Sequence, residues 1–117
     1  MREMLCSKIH KATVTEADLS YTGSITIDEE LLEKADLWER QKVLVASITT
    51  GNRLETYTMK GPRGSGVICM NGAAAHIIKK GEEIIIMGFE WMDKAESAPR
   101  CILVDENNCF ISYIEDT

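Results

Sequence analysis

Val43-Leu44-Val45-Ala46-Ser47-Ile48, the turn Thr50-Gly51-Asn52, and Arg53-Leu54-Glu55-Thr56-Tyr57-Thr58-Met59 decide the fold class of this chain. Two β-rich runs meet at a glycine-containing turn, which is the signature of a hairpin. The same texture extends outward. Met4 to Val14 alternates imperfectly and reads as a first strand, Ser24 to Ile27 as a short extended piece, and Val67 to Met70 as another strand. Gly81-Glu82 opens a strand over Ile84 to Phe89. Arg100 to Val104 and Cys109 to Ile114 pair around Asp105-Glu106-Asn107-Asn108. Helix is scarce. Asp28 caps a helix running to Ala35, with Glu29 and Glu30 in its first turn and Leu31, Leu32 and Ala35 on one side. A second short helix is expected over Asp93 to Ala98, stopped by Pro99. Asn71 either caps a single turn through Ala73, Ala74 and Ala75 or forms a turn with Gly72. Many short strands in a small domain predict a mainly-β barrel or sandwich.

The 117 residues make one domain, 1–117, with 44% apolar and 27% charged content, as in ordinary globular proteins. The longest apolar run, Ile84 to Phe89, is far shorter than the roughly 18 residues of a membrane span. The N-terminus has no apolar segment of signal-peptide length, so a cytoplasmic location is expected, with no membrane partner. Cys6, Cys69, Cys101 and Cys109 form no Cys-x-x-Cys pair and have no histidine at ligand spacing. No metal site is expected, and Cys6, Cys69 and Cys101 read as small, buried, reduced side chains. A net charge of −6 argues against nucleic-acid partners. It also means that an acidic substrate would need local cations to reverse the field inside its pocket.

Candidates for those cations lie on two strands. Lys8 and His10 are two apart and share a face, as do Arg53 and Tyr57 at four apart. Three potentially cationic groups and a phenol converge if the strands are neighbours. Taken singly, Lys8 and Arg53 read as surface charges, His10 as a satisfied polar residue, Tyr57 as packing and His76 as structural. Gly23-Ser24 alone is a flexible joint.

Together, their order and spacing are specific. Met4-Leu5-x-x-Lys8-x-His10, Val14-Thr15-x-Ala17-Asp18-Leu19-x-Tyr21-x-Gly23-Ser24-Ile25-x-Ile27-Asp28, Gly51-x-Arg53-x-x-Thr56-Tyr57, Arg63-Gly64-Ser65-Gly66 and Asn71-Gly72-Ala73-Ala74-Ala75-His76 closely resemble the aspartate 1-decarboxylase family. The resemblance runs from about Met4 to Phe89. It implies a six-stranded double-psi β-barrel with short helices, a homotetramer, and a proenzyme that cuts itself between Gly23 and Ser24 into pieces 1–23 and 24–117. Ser24 would become a pyruvoyl cofactor that forms a Schiff base with L-aspartate, with no pyridoxal phosphate. Loss of CO2 would give β-alanine, a precursor of pantothenate. The resemblance assigns substrate contacts to Lys8, His10, Arg53, Thr56 and the backbone of Gly72, Ala73 and Ala74. It makes Tyr57 the proton donor, and Asn71 and Ala75 supports. Some relatives carry a tryptophan before the Thr50-Gly51 turn, where this chain has Ala46-Ser47-Ile48.

The chemistry suits these residue types. Glycine at 23 permits a twisted scissile peptide, Ser24 Oγ is the nucleophile, and Thr56 is a candidate donor to the Gly23 carbonyl. The Arg53 fork can pair both oxygens of a carboxylate. Two other readings stay open: a pyruvoyl decarboxylase for another acidic amino acid such as glutamate, and an uncleaved barrel acting as a binding or assembly module. A helper protein for maturation is compatible with either decarboxylase reading.

Overall fold

Buried positions recur at every second residue over most of 83–92 and part of 2–13, whereas 24–28 and 68–71 are buried nearly throughout. In the computed structural model, which describes residues 1–95 and 98–115, the elements are β1 (Arg2–Thr13), β2 (Glu16–Asp18), β3 (Ser24–Asp28), helix α1 (Glu29–Ala35), β4 (Lys42–Ser47), β5 (Arg53–Gly61), β6 (Ile68–Asn71), a 3-10 turn (Gly72–His76), β7 (Glu83–Met92), β8 (Arg100–Val104) and β9 (Phe110–Tyr113). They form one coiled, barrel-like sheet of order β2-β6-β3-β5-β4-β7-β1-β8-β9. The mainly-β architecture is as expected, with nine strands among the described residues, the six-stranded barrel of the resemblance being a count of barrel strands alone. No helix among the described residues is long and apolar enough to cross a membrane.

The hairpin pairs β4 with β5 from Lys42↔Tyr57 to Ala46↔Arg53. β7 then lies between β4 and β1, antiparallel to both. Three parallel pairs, β1 with β8, β2 with β6 and β3 with β5, make the topology more than a chain of hairpins. Ile9, Ile25, Ile27, Val43, Val45, Ile68, Met70, Ile84, Ile86 and Ile102 fill the interior. They are β-branched or flexible apolar side chains suited to a pleated, buried surface. Helix α1 closes one side through Leu31, Leu32 and Ala35.

Three expectations change. β2 was not anticipated: Glu16-Ala17-Asp18 is a strand only because β6 lies beside it. The helix expected over 93–98 does not form at Asp93–Ala95, where the chain bends at Asp93 and Lys94, and residues 96 and 97 lie outside the described residues. All four cysteines are free, Cys69 and Cys101 buried as expected, whereas Cys6 is half-buried at the outer surface of β1.

Asp28 joins three elements. It ends β3, and its Oδ1 accepts from Glu30 N and Gly64 N, both at 2.9 Å, while Oδ2 accepts from Gly66 N at 2.8 Å. The residue is 3% exposed, so its loss would strand three donors away from water. Asp28→Ala is expected to cost about 2–4 kcal/mol from the lost cap and charge-assisted bonds. In urea unfolding the midpoint would fall at an unchanged slope, and an unchanged midpoint would show that these bonds contribute nothing net.

Candidate active site

The Gly23–Ser24 peptide lies where an exposed turn enters a buried strand. Leu19 to Gly23 are exposed, and Ser24, at the start of β3, is 1% exposed. β3 is antiparallel to β6 with Ser24↔Asn71 and Thr26↔Cys69 in register. Because side chains two apart share a face, these four side chains meet. Asn71 Nδ2 donates to Ser24 Oγ and to Thr26 Oγ1, both at 2.9 Å, and the Cys69 thiol donates to Asn71 Oδ1 at 3.1 Å.

Between the two readings of Asn71-Gly72, the chain adopts the single turn, as a 3-10 turn. Asn71 does not cap it through its side chain, which is committed to Ser24 and Thr26. The first N–H groups of a helical turn have no partner within it. In this 3-10 turn the Ala74 N–H bonds the Asn71 carbonyl, so only the N–H groups before it lack a partner inside the turn. Gly72 has φ +66, and a Cβ there would lie 2.8 Å from Gly23 N and Tyr21 O and 2.9 Å from Gly23 Cα. Gly72 thus packs its backbone directly against the turn that leads to Ser24. It is buried, whereas Ala73 and Ala74 face a cavity and Ala75 is buried beneath.

That cavity, of about 360 Å3, is lined by Gly23, Leu54, Glu55, Thr56, Tyr57, Asn71, Ala73, Ala74 and Ile77. It brings together five residues singled out from the sequence for catalysis or binding (Gly23, Thr56, Tyr57, Ala73 and Ala74) and the support Asn71, with Ser24 just behind the wall. Its size suits a small ligand. Asn52 Nδ2 donates to Ile77 O at 3.1 Å, tying the hairpin turn to the far end of the cavity wall. Glu55 was not anticipated there; Lys42 Nζ pairs with its Oε2 at 2.7 Å, setting a cation beside its charge.

Lys8, His10 and Arg53 do not line this cavity. β1 and β5 are not neighbours, because β7 and β4 lie between them. His10↔Ile85, Ile85↔Ala46 and Ala46↔Arg53 form one transverse row. Three strand spacings separate its ends, roughly 14 Å along the sheet. Lys8↔Met87, Met87↔Leu44 and Leu44↔Glu55 form the next row. The same-face reading holds within each strand, and the four groups share the outer face, but in one chain they do not converge. Ala46 sits mid-row with only a methyl group, leaving the surface low between Arg53 and Ile85.

His10 is also not a cation. Burial, then Lys8 and Lys11, hold its pKa below the ordinary histidine value against an opposing pull from Glu83, so the ring is neutral at pH 7. Its buried Nδ1 has no hydrogen-bond partner among the described residues. The next residue, Lys11, has φ 67 at a register shift between β1 and β7, a bulge that re-aims the strand at His10. Thr26, Cys69 and Glu55 are the site residues that sequence reasoning missed. The first two follow from the two-residue period once β3 and β6 are known to pair.

Comparison with known proteins covers nearly the whole chain. The family model for aspartate decarboxylase matches residues 1–111. Among similar curated proteins, an aspartate 1-decarboxylase of Neisseria meningitidis serogroup C is 51% identical over 110 residues, covering 92% of this chain and 87% of that protein. Those of Caldicellulosiruptor saccharolyticus and Pelotomaculum thermopropionicum are 53% and 54% identical over 109 and 108 residues, covering 91% and 90% of this chain and 85% and 82% of theirs. With a family match over residues 1–111 and relatives above half identity over nine-tenths of its length, this chain belongs to the aspartate decarboxylase family.

Proposed function

We propose that this protein decarboxylates L-aspartate to β-alanine, a supply step for pantothenate synthesis, after cutting itself between Gly23 and Ser24 to convert Ser24 to a pyruvoyl group. The observation that carries the reading is the buried Ser24 Oγ, held by Asn71 at the edge of an exposed turn, behind a cavity that Thr56 and Tyr57 also line. Ser24 fits a pyruvoyl precursor: its carbonyl side continues into a strand paired on both sides, while its nitrogen side leads to a turn free of strand pairing. When formed, the group supplies a ketone that bonds the substrate amine and draws off the electrons released with CO2.

The chain's own residues have separable jobs. In maturation, Ser24 Oγ attacks the Gly23 carbonyl; Thr56, in the same cavity wall, stabilises the developing oxyanion. In turnover, the backbone of Ala73 and Ala74, where the Ala73 N–H has no partner inside its turn, holds a substrate carboxylate, and Tyr57 returns a proton to the carbon that lost CO2. Arg53 and Lys8 clamp the remaining carboxylate, with neutral His10 as a donor. Because these three lie on the outer face of one chain, the functional unit we infer is a homotetramer in which a neighbouring copy brings β1 to the cavity. The half-buried Leu44, Ile85, Met87 and Phe89 on that face are apolar enough to be covered. Four free cysteines fit a reducing cytoplasm.

Intact-mass analysis tests the reading first. The parent protein, given time or warmth, is expected to separate into 1–23 and 24–117, the larger with a blocked N-terminus, while Ser24→Ala stays whole and inactive. Aspartate decarboxylation by purified Ser24→Ala would end the pyruvoyl assignment. Cleavage only after adding cell extract would reveal a separate maturation factor.

Tyr57→Phe removes a proton and keeps the ring, so kcat is expected to fall roughly 100-fold or more with little change in KM and with cleavage intact. A fully cleaved Tyr57→Phe with parental kcat would assign the proton to another donor.

Gly72→Ala forces a methyl group against the backbone of Tyr21 and Gly23 at a positive φ, costing about 1–3 kcal/mol. It is expected to lower Tm by several degrees and to slow cleavage more than tenfold as the turn shifts. Cleavage at the parental rate would show that the turn is not held by this contact.

A further inference from the structure

We propose that Cys69 is a positioning residue for the cutting of the Gly23–Ser24 bond: its thiol fixes the Asn71 carboxamide with the nitrogen turned onto Ser24 Oγ. The inference rests on the self-cleavage reading above and adds to it a residue that touches neither the scissile bond nor the cavity. In the step concerned, Ser24 Oγ bonds to the Gly23 carbonyl carbon, the bond from that carbon to Ser24 N breaks, and the hydroxyl proton ends on the freed amine. The oxygen must therefore keep one lone pair aimed at the carbonyl while remaining fixed.

Asn71 Nδ2 occupies the other lone pair at 2.9 Å and spends its second hydrogen on Thr26 Oγ1 at 2.9 Å. Neither hydroxyl decides which way the carboxamide faces, since a serine or threonine hydroxyl both donates and accepts. The third contact decides. With Oδ1 toward the sulfur, both N–H groups find oxygen acceptors and Oδ1 receives the S–H at 3.1 Å. Turned over, the N–H groups would meet only sulfur, a weak acceptor, in a place closed to water. Cys69 is 6% exposed, Asn71 3% and Ser24 1%, so no solvent substitutes for a lost partner. Burial, then the Glu16 and Asp18 carboxylates on the neighbouring β2 and the Glu16 side chain as a second acceptor, push the thiol pKa up against the Asp18 backbone, which keeps it protonated and a donor. The backbone makes the arrangement possible: Cys69 and Asn71 are two apart on β6, opposite Thr26 and Ser24 of β3.

The test is the cleavage rate by intact mass for the parent, Cys69→Ala, Cys69→Ser, Asn71→Ala and the Cys69→Ala/Asn71→Ala pair, with Tm for each. Cys69→Ala is expected to slow cleavage roughly three- to tenfold, the worth of one weak hydrogen bond, and Cys69→Ser, which keeps a donor, to restore most of it. In the Asn71→Ala background, Cys69→Ala should slow nothing further, because its action runs through the carboxamide. Parental cleavage by Cys69→Ala overturns the proposal. So does equal slowing with and without Asn71, which would make Cys69 mere packing. Should Cys69→Ala not fold, Cys69→Val, of similar volume and without a donor, replaces it. If the parent chain never cuts, the self-cleavage reading fails by itself. Carboxamide orientation is then read in the uncut parent from the Asn71 side-chain 15N–1H resonances. Resonances unmoved by Cys69→Ala overturn the positioning role, and a shift reversed by Cys69→Ser supports it.

Discussion

Strand β3 is the constraint on which the molecule turns. Ser24–Asp28 is five residues long, four of them buried, and it is paired on both sides, parallel to β5 and antiparallel to β6. Its two ends are fastened by side chains of different kinds. At Ser24 a neutral carboxamide reaches across from β6, and at Asp28 a carboxylate gathers backbone N–H groups from α1 and from the loop before β6. A polar group at each end of an apolar strand fixes its position lengthwise, which hydrophobic packing alone, indifferent to small slips, does not do.

The electrostatics divide by face. The interior around Ser24 is nearly neutral: hydroxyls, an amide, a protonated thiol and backbone donors. The cations Lys8 and Arg53 are on the outer face of the sheet, separated by the width of β7 and β4. With a net charge of −6, a lone chain offers little long-range attraction to an acid. Within a single chain these outer-face cations stay apart from the cavity, whose own wall contributes Glu55.

Much of the fold was legible because local rules sufficed. Asp28 before Glu29-Glu30 reads as a cap, and the helix starts there. Thr50-Gly51-Asn52 reads as a hairpin turn, and β4 and β5 flank it. What was not legible depends on partners distant in sequence. Glu16–Asp18 has no strand pattern of its own and is ordered by β6. Residues 93–95 carry helix-compatible side chains but offer no apolar stripe to bury. At the site, the two-residue period correctly placed Lys8 with His10 and Arg53 with Tyr57. It could not say that two strands separate the pairs, since strand order is set by the whole core. Neutral His10 was missed for the same reason: its charge state depends on burial and on Lys8, Lys11 and Glu83 around it.

The long first strand has a consequence for durability. β1 contributes twelve residues, paired to β7 along nearly its whole length and to β8 on its other side. A molecule severed after Gly23 would keep that strand only by noncovalent contacts, as a separate peptide woven into the sheet. In an uncut chain, unfolding and refolding are events within one molecule. In a severed one, refolding would require two chains to meet, so its rate would scale with concentration and the loop-closure advantage of a covalent connection would be gone. Such a protein keeps its form by never letting go: its lifetime is set by the barrier to releasing β1 rather than by the depth of the folded well.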